Sequence, residues 1–473
     1  MAVVPTTAPL VVPGTSPTTT LLAALRAAGR VGTKEGCGDG DCGACTVAVR
    51  EPGGAWSAVT SCLVPVGAVA GREVLTVEDV AAPDGTLHPV QQALVDAAGS
   101  QCGYCTPGFV MSMVAGFHDP ACAGPEGLPD DVVEGNLCRC TGYAPIRRAC
   151  RALSGASAEP PVGGVVAGAR GAAVEAAGRT YHRPTTLADA LRLLEEHPDA
   201  TVLAGATDLG IELSHHRLDP RVTVALEDVA ELHHLAVTPT HLEIGAGVSL
   251  TRLEREAAGH LPALDEMLRW FAARQVRNRA TLGGNLGTAS PIGDLPPVLL
   301  ALDAELVLAD LDGERAVPVE DFFTGYRETV LRPGELIRLV RVPLARSDGT
   351  TRRLTWSYKV GKRGADDISV VAFAATLDLD ADGCVRHARL AYGGVAVTPV
   401  RAHEVEASLL GRRLDPATVA DTSARLQAWV KPLDDHRASA AYRRRLVGSL
   451  FEKLVAEHAG PGTGGRADAG DAA

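Results

Sequence analysis

The spacing of apolar and polar positions divides the first third of the chain into two modules. Residues 18–29 carry leucines on one helical face after a run of threonines and end at glycine, which predicts a capped helix. Short apolar runs at 45–50 and 58–63 predict strands. Three later stretches open near a proline and predict helices over 89–98, 107–117 and 129–136. We therefore expect an α/β module followed by a helical one.

The rest of the chain begins with a stretch of Ala, Gly, Pro and Val that predicts a linker. Beyond it, a helix over 187–197 and strands at 200–204 and 241–244 indicate an α+β domain. Residues 343–353 break this pattern, and strands over 354–379 begin a smaller terminal domain. The predicted divisions are the α/β module at 1–80, the helical module at 81–153, a linker at 154–178, the α+β domain at 179–346, the terminal domain at 347–458 and a disordered tail at 459–473.

Composition and charge narrow the class of protein. The chain has 473 residues, 46% hydrophobic, and a net charge of -12, which argues against a nucleic-acid partner. No apolar run approaches the roughly 20 residues of a membrane helix. A secretory signal requires a basic residue near its start, and none precedes Arg26. We expect a soluble, cytoplasmic protein without membrane contact. Its eleven cysteines should stay reduced there, which favours metal ligation over disulfides.

The first group of cysteines is Cys37-x4-Cys42-x2-Cys45, with Cys62 downstream. This is the plant-type [2Fe–2S] spacing, in which a tight loop supplies three thiolates and a returning strand the fourth. Glycines within the loop let its backbone approach the sulfurs. Zinc is the alternative, although zinc sites usually pair cysteines in two knuckles. The glycines also match G-x-G-x-x-G, but no strand precedes them, so we reject a dinucleotide fold here.

The second group is Cys102-x2-Cys105 and Cys138-x-Cys140. Two pairs of cysteines fit zinc or a cluster, and the C-x-C spacing, together with the preceding ferredoxin-like group, favours a second redox centre. Three cysteines fall outside both groups and are expected to be buried as small apolar residues: Cys122, Cys150 and Cys384.

Two glycine-rich segments in the predicted α+β domain suit a dinucleotide. Residues 202–209 combine a strand, a glycine turn and a polar residue that opens a helix, and 281–287 form a second glycine-rich loop. Turns of this kind present backbone N–H groups to a pyrophosphate, although glycine pairs more often only make turns.

Long motifs around the cysteines resemble those of the molybdenum hydroxylases. The segments are 32–46 (GTKEGCGDGDCGACT), 99–108 (GSQCGYCTPG) and 134–143 (EGNLCRCTGY). The resemblance implies that both centres are [2Fe–2S] clusters, the second nearer the molybdenum. It also implies that Gln101 contacts the molybdenum cofactor of a partner subunit; the other interpretation of Gln101 is a polar helix cap.

The resemblance extends over the flavin segments and covers residues 18–458. It implies a multidomain α+β fold: a plant-ferredoxin-like α/β module, a four-helix [2Fe–2S] domain, a vanillyl-alcohol-oxidase-type FAD domain, and a small α+β C-terminal domain like that of CO dehydrogenase flavoproteins. The residues implied to contact FAD are Val202, Leu203, Ala204, Gly205, Ala206, Thr207, Asp208, Leu209, Phe271, Thr281, Leu282, Gly283, Gly284, Asn285, Asp294, Ile337 and Lys359.

Clusters and flavin on one chain, with molybdenum on another, resemble the arrangement of bacterial xanthine dehydrogenases. The resemblance implies a large molybdenum-cofactor subunit as partner, in a heterotetramer with two copies of each chain. The partner would oxidise hypoxanthine and xanthine to urate, while this chain passes electrons through both clusters to FAD and on to NAD. The same subunit in an aldehyde or N-heterocycle hydroxylase, a stand-alone NAD(P)H reductase with clusters and flavin, and a zinc scaffold are the alternatives.

Two segments depart from the family pattern. Ala206 stands where the family commonly has Asn, which removes a side-chain hydrogen bond near the flavin. Residues 362–365 (Lys-Arg-Gly-Ala) replace a Ser-Arg-Arg-Glu run in the loop that borders the nicotinamide site of the family.

Overall fold

The computed structural model describes residues 10–122, 124–154, 157–346, 348–364 and 366–459. Ala365, in the loop that departs from the family pattern, and the predicted tail from residue 460 lie outside this part. The strands are β1 (Thr46–Arg50), β2 (Ser57–Thr60), β3 (Glu73–Leu75), β4 (Gly164–Val165), β5 (Val174–Ala176), β6 (Arg179–His182), β7 (Thr201–Leu203), β8 (Val222–Ala225), β9 (Leu235–Val237), β10 (His241–Gly245), β11 (Glu305–Ala309), β12 (Glu314–Pro318), β13 (Phe323–Gly325), β14 (Glu328–Thr329), β15 (Leu336–Pro343), β16 (Arg352–Val360), β17 (Val371–Leu379), β18 (Val385–Gly393) and β19 (Val400–Arg401).

The α-helices are α1 (Leu21–Ala27), α2 (Pro89–Asp96), α3 (Thr106–Phe117), α4 (Ala144–Arg151), α5 (Leu187–Glu196), α6 (Leu209–Ser214), α7 (Leu250–Glu256), α8 (Pro262–Trp270), α9 (Arg274–Arg277), α10 (Leu282–Gly287), α11 (Leu295–Ala301), α12 (Val319–Phe322), α13 (His403–Leu409), α14 (Pro416–Trp429) and α15 (Ala440–His458). Single 3-10 turns lie at Ser61–Leu63, Val66–Val69, Val77–Asp79, Asp130–Val132 and Ala230–His233.

The chain divides into two compact units. Unit 1 consists of Met1–Ala230 and Ala272–Ala280, and unit 2 of Glu231–Phe271 and Thr281–Ala473. The segment predicted as the FAD-binding domain, 179–346, thus contributes residues to both units.

Unit 1 opens with a four-stranded antiparallel sheet of order β2-β1-β3-β4. Helix α1 begins after Thr20, whose side chain accepts the N–H of Ala23, and it buries its leucine face. Helices α2, α3 and α4 pack on the other side of this module and share a core with it, because Trp56 and Leu75 belong to the same apolar cluster as Phe109 and Met113. The two cysteine-bearing modules are therefore packed as one body.

The second sheet of unit 1 has the order β5-β6-β8-β7, with β6 and β7 both parallel to β8. Helix α6 follows β7 after a short turn. An ion pair buried on both sides, Arg183–Asp228 at 2.7 Å, joins this sheet to Ala70 in the first module, because the guanidinium also donates to the Ala70 carbonyl. The strand–turn–helix of the predicted flavin segment is thereby held against the cysteine-bearing module.

Unit 2 contains a five-stranded antiparallel sheet of order β12-β11-β15-β10-β9 and a hairpin of β13 and β14. A further antiparallel sheet, β16-β17-β18-β19, is covered by α13, α14 and α15, and Phe373, Tyr392, Leu426 and Phe451 are fully buried between them. No helix in the described part of the chain is long and apolar enough to cross a membrane.

These elements confirm the multidomain α+β fold class and correct two local predictions. The helix predicted over 129–136 is only the single turn Asp130–Val132, so the described part of the second module has three α-helices and one 3-10 turn. Gly135 packs directly on the segment 272–280, since a Cβ there would lie 2.5 Å from the Cβ of Ala273. The stretch predicted as a linker contains β4 and β5, each paired in a sheet of unit 1.

Candidate functional site

The first four cysteines form two pairs of thiols in unit 1. Cys37 and Cys42 are hydrogen-bonded through their side chains, and so are Cys45 and Cys62. Three of the four lie on the loop between α1 and β1, as predicted, while Cys62 lies in the 3-10 turn after β2 rather than on the predicted strand over 58–63. The backbone N–H groups of Cys37 and Cys42 each donate to the other residue's Sγ at 3.4 Å, and Asp39 N–H donates to Cys37 Sγ at 3.3 Å.

Glycine is required at two points of this loop. At Gly36 a Cβ would lie 2.6 Å from Cys42 Sγ, and at Gly43, where φ is +63°, a Cβ would lie 2.1 Å from the Gly135 carbonyl oxygen. The loop therefore closes more tightly around its sulfurs than any residue with a side chain would permit.

Hydrogen bonds to sulfur stabilise the thiolate form at Cys37. The bond from the Cys42 thiol is the largest effect, and with backbone N–H groups of Asp39 and Cys42 it lowers the pKa of Cys37 to about 5 against the opposing effect of burial. The same bond and burial raise the pKa of Cys42. The four thiols are hydrogen-bonded in pairs, and backbone N–H groups donate to the sulfurs. Such a set of sulfur ligands fits a thiolate-bound cluster.

The second four cysteines also lie together in unit 1. Cys140 Sγ lies 3.4 Å from Cys102 Sγ, and the Cys138 thiol is hydrogen-bonded to those of Cys105 and Cys140. Cys102 and Cys140 are exposed, whereas Cys138 is buried. Burial raises the pKa of Cys105 to about 12. Burial is the largest single effect on Cys138 and acts in the same sense. Hydrogen bonds from Thr141, whose hydroxyl lies 3.0 Å away, from the Cys105 thiol and from backbone N–H groups together outweigh it and lower the pKa of the Cys138 thiol.

The pairing of the first four thiols suits a binuclear cluster. In a [2Fe–2S] cluster each iron takes two cysteines, so the ligands stand in two pairs. Cys37 with Cys42, and Cys45 with Cys62, have this arrangement.

The remaining sequence-predicted residues of unit 1 are placed as follows. Cys122 and Cys150 are buried as predicted, and Cys384 in unit 2 is only half-buried. The Cys122 thiol is also in contact with the guanidinium of Arg274 at 3.0 Å. Gln101 is exposed beside Cys102, and it caps neither neighbouring helix, because the C-cap of α2 is Ala97 and the N-cap of α3 is Cys105.

Helix α6, which follows the first predicted flavin segment, packs against the first cysteine loop. His215, the residue after α6, bonds Asp39 Oδ1 through Nε2 at 2.6 Å. A Cβ at Gly38 would lie 3.2 Å from Ser214 Oγ, and one at Gly210 would lie 2.4 Å from the Leu63 carbonyl oxygen. The first cysteine group is therefore adjacent to the flavin segment, while the second has thiols on the surface of the same unit.

The flavin segment of unit 1 is the predicted strand, turn and helix: β7, residues 204–208 and α6. A Cβ at Gly205 would lie 1.8 Å from the Arg279 carbonyl oxygen, and the Arg279 side chain donates back to the Gly205 carbonyl at 3.1 Å. Ala206 has φ +65°, a left-handed conformation that Asn adopts more readily than Ala. The family's Asn at this position therefore suits the backbone as well as the flavin.

The flavin segment of unit 2 is not the loop that the sequence predicted. Residues 282–287 form α10, capped by Thr281, whose hydroxyl accepts the Gly284 N–H at 3.0 Å. Gly283 packs on Ala246, where a Cβ would lie 2.6 Å from the alanine Cβ. The Oδ1 of Asn285 is buried without a hydrogen-bond partner in the described structure. A buried acceptor of this kind fits the contact with a bound group that the resemblance implies.

A buried ion pair in unit 2 joins two of the remaining predicted flavin residues and reaches the neighbour of a third. Lys359 Nζ lies 2.8 Å from Asp294 Oδ2, with the two side chains 4% and 10% exposed. Ser369 donates to the other Asp294 oxygen at 2.5 Å, and Lys359 donates to the carbonyl of Trp270, next to Phe271. Ile337 is buried on β15. Asp294 is thus held by protein donors and supports the site rather than offering a free carboxylate.

Some contacts at the cysteine groups were not foreseen. The Thr141 hydroxyl contacts Cys138 Sγ, and the Tyr143 hydroxyl oxygen accepts the Cys138 N–H at 3.0 Å. The Tyr104 hydroxyl donates to the Glu35 carbonyl and so joins the two cysteine loops. These residues lie in or beside the cysteine motifs, where proximity in sequence was the available signal.

Four family models match the chain in succession. They describe a 2Fe-2S iron-sulfur cluster binding domain (residues 7–66), a [2Fe-2S] binding domain (76–151), a FAD binding domain in molybdopterin dehydrogenase (174–345) and a CO dehydrogenase flavoprotein C-terminal domain (356–458).

Curated relatives and solved structures agree with these matches. Xanthine dehydrogenase of Emericella nidulans is 35% identical over 93% of this chain, and xanthine dehydrogenase 1 of Arabidopsis thaliana 32% over 92%. The chain spans only 37% and 38% of those proteins. A structure of quinoline 2-oxidoreductase from Pseudomonas putida 86 is 27% identical, with a TM-score of 0.55, and covers 59% of this chain and 96% of its own. A structure of CO dehydrogenase from Oligotropha carboxidovorans is 29% identical, with a TM-score of 0.54, and covers 58% of this chain and 96% of its own. The chain belongs to the molybdenum hydroxylase family and is an iron–sulfur and FAD electron-transfer module of it.

Proposed function

We propose that this chain is the electron-transfer subunit of a xanthine dehydrogenase, with two [2Fe–2S] clusters and one FAD. The observation that carries the proposal is the gathering of eight thiols into two groups of four, the first of which stands in two hydrogen-bonded pairs. The proposed ligands of the first cluster are Cys37, Cys42, Cys45 and Cys62, and those of the second are Cys102, Cys105, Cys138 and Cys140. When bound, the clusters carry single electrons, and FAD combines two of them into a hydride transfer.

The proposed flavin residues are those of the two glycine-rich segments, Val202–Leu209 and Thr281–Asn285, with Phe271, Asp294, Ile337 and Lys359. The turn at Gly205 and the capped start of α10 support this assignment, because in each a glycine packs directly on a neighbouring segment and so fixes the backbone of the turn. The buried, unpartnered Oδ1 of Asn285 supplies a polar contact. Asp294 and Lys359 neutralise one another in a buried site and keep its shape.

The position of the two cysteine groups in unit 1 supports an order of electron transfer. The first group lies against α6, directly after the flavin segment, and the second has two thiols at the surface. We therefore place the first cluster on the flavin side and the second toward a molybdenum-cofactor subunit. Gln101, exposed beside Cys102, is the proposed contact with that cofactor. We propose a heterotetramer with two copies of each chain.

Xanthine and hypoxanthine are the proposed substrates of the partner, and NAD the proposed acceptor for the flavin, on the basis of relatives named xanthine dehydrogenase. Eleven free thiols suit a reducing compartment, so we propose the cytoplasm. The structural neighbours named for quinoline and CO make other substrates the competing outcomes of a substrate test.

The test is co-expression of the chain with its molybdenum partner. We expect the isolated chain to pass electrons from NADH to an artificial dye and to leave xanthine unchanged. The complex should reduce NAD with xanthine faster than with quinoline or an aldehyde. Preference for either of the latter would contradict the proposed substrate.

A Gln101→Ala variant examines the proposed contact with the partner's cofactor. It should slow xanthine-dependent NAD reduction and leave NADH-to-dye activity intact. Gln92→Ala is the matched control, because Gln92 is an exposed glutamine of the same module whose side chain donates to Asp96 on the same helix, at 2.7 Å. Equal effects of both variants, or an effect of Gln101→Ala on the NADH half-reaction alone, would argue against the role.

A further inference from the structure

Three buried polar side chains in unit 1 form a hydrogen-bond network that the proposed function does not use. Ser112 on α3, Asn136 before Cys138, and Gln275 on α9 are each 1% exposed. Ser112 Oγ donates to Asn136 Oδ1 at 2.6 Å, and Gln275 Nε2 donates to the same Oδ1 at 3.0 Å and to Ser112 Oγ at 2.8 Å.

Asn136 connects this network to the first cysteine loop. Its Nδ2 donates to the Gly43 carbonyl at 2.9 Å and to Thr46 Oγ1 at 3.2 Å, so both ends of the amide are fully engaged. Gly43 lies between Cys42 and Cys45, and its backbone touches that of Gly135 so closely that a Cβ would come within 2.1 Å. The amide therefore holds the two cysteine-bearing segments in direct contact.

The residue after Asn136 makes the direct link between the two cysteine groups. Leu137 N–H donates to the Cys42 carbonyl oxygen at 3.0 Å, and Leu137 is bonded covalently to Cys138. A proposed ligand of the first cluster is thus connected to one of the second by covalent bonds and a single hydrogen bond. The separation of Leu137 N–H from Cys42 O depends on the position that Asn136 fixes.

A buried polar network is not needed for packing alone, because apolar side chains of similar shape can replace paired polar groups at little cost. What a directional network adds is one defined arrangement of the segments it joins. Gln275 belongs to the segment 272–280, which also bonds Asp131 and Glu134 through Arg274 and Arg277. This segment fixes the stretch before Cys138 from the side opposite the first cysteine loop.

We propose that Asn136, locked by Gln275 and Ser112, is a positioning residue for electron transfer between the two clusters. It holds Leu137 N–H on the Cys42 carbonyl and so keeps the connection between the cluster loops intact. The transfer moves one electron from the reduced cluster to the oxidised one, and no bond forms or breaks and no proton moves. The inference rests on the proposed function, since it requires both clusters.

The test uses the full chain with its cofactors, and Asn136→Asp as the variant. The aspartate has the same shape but cannot donate, and it places a carboxylate against the Gly43 carbonyl. After reduction with dithionite, we expect full iron and sulfide content, two cluster signals, and a changed spin–spin interaction between them in the EPR spectrum. In freeze-quench experiments with NADH, reduction of the second cluster should be slower than in the parental protein.

Gln275→Leu should change the same two readouts in the same direction. Asn278→Leu is the matched control, because Asn278 lies in the same segment and donates to the Ala58 carbonyl on β2, at 2.8 Å. The control should keep the parental spin–spin interaction and rates. An unchanged interaction and rate in fully loaded Asn136→Asp would overturn the proposal.

Ser112→Ala decides the matter if Asn136→Asp fails to hold both clusters. This variant removes one donor to Asn136 and should give a smaller change of the same kind; parental spectra and rates would overturn the proposal. The dithionite spectra also separate this inference from the proposed function. If NADH fails to reduce the chain, the assignment of NAD is wrong, while the spin–spin interaction still tests Asn136.

Discussion

Two neighbouring residues of the flavin segment in unit 1, Gly205 and Ala206, should respond to substitution with opposite signs. At Gly205 a Cβ would lie 1.8 Å from the Arg279 carbonyl oxygen, whereas real Cβ atoms essentially never approach closer than 3.0 Å. Gly205→Ala must therefore move the turn and the Arg279 backbone apart by about 1.2 Å. At Ala206 the backbone is already left-handed, with φ +65°, so Ala206→Gly relieves strain.

The magnitudes follow from these two geometries. Overpacking costs about 1–3 kcal/mol, and more for a rigid backbone neighbour, while loss of glycine freedom in the unfolded chain returns about 0.4–1 kcal/mol. We expect Gly205→Ala to destabilise unit 1 by about 1–3 kcal/mol and to weaken FAD binding by roughly tenfold or more, since 1.4 kcal/mol corresponds to a factor of ten. Ala206→Gly removes about 1–2 kcal/mol of strain, so a net gain of about 0.5–1 kcal/mol should remain.

The assay is the ratio of FAD to protein after gel filtration, with the flavin released by acid, and the midpoint of thermal unfolding followed by flavin fluorescence. Gly287→Ala is the control, because a Cβ there meets no atom within 4 Å and its backbone has no positive φ. The control should bind FAD normally. Full FAD content and an unchanged midpoint in Gly205→Ala would refute the reasoning.

Other outcomes test separate parts of the structure. Lys359→Met should destabilise unit 2 by about 3–5 kcal/mol and lower FAD content, because it leaves Asp294 buried without its cation; Lys453→Met, which removes an exposed pair, should cost under about 1 kcal/mol in the same urea titration. Burial and the neighbouring His118 lower the pKa of His88 to about 4, so the unfolded chain binds a proton that the folded chain excludes. The contribution of His88 to stability should be fully present above about pH 6.5 and be lost as the pH falls toward 4. His88→Asn, which keeps a cap for the Val90 N–H, should flatten this decline in a pH series of unfolding midpoints.

The sequence predicted the elements of the site that are encoded locally. The spacing of Cys37, Cys42 and Cys45 places three thiols on one loop, and the structure pairs them with each other and with Cys62. The strand–turn–helix at 201–214 was also foreseen, because a glycine between an apolar run and a polar cap is a local signal. Motifs of this kind carry their geometry within a few residues.

What depends on distant segments was missed. Gln275 reaches Asn136, 139 residues away, and no pattern near either residue announces the contact. The helix predicted at 129–136 was wrong, and Gly135 in this stretch packs directly on Ala273 and Gln275 of the same distant segment. At 281–287 the glycines suggested a loop, but the Thr281 cap and the packing of Gly283 on Ala246 stabilise a short helix there. Tertiary contacts overrode local preference in both places.

The most direct test of the account is the metal and sulfide content of the chain purified without oxygen, with EPR of the reduced protein. Two [2Fe–2S] clusters require about four iron atoms and about four labile sulfides per chain and two distinct signals. Cys138→Ser should halve both contents and remove one signal while the other persists. Stoichiometric zinc without labile sulfide would contradict the central claim.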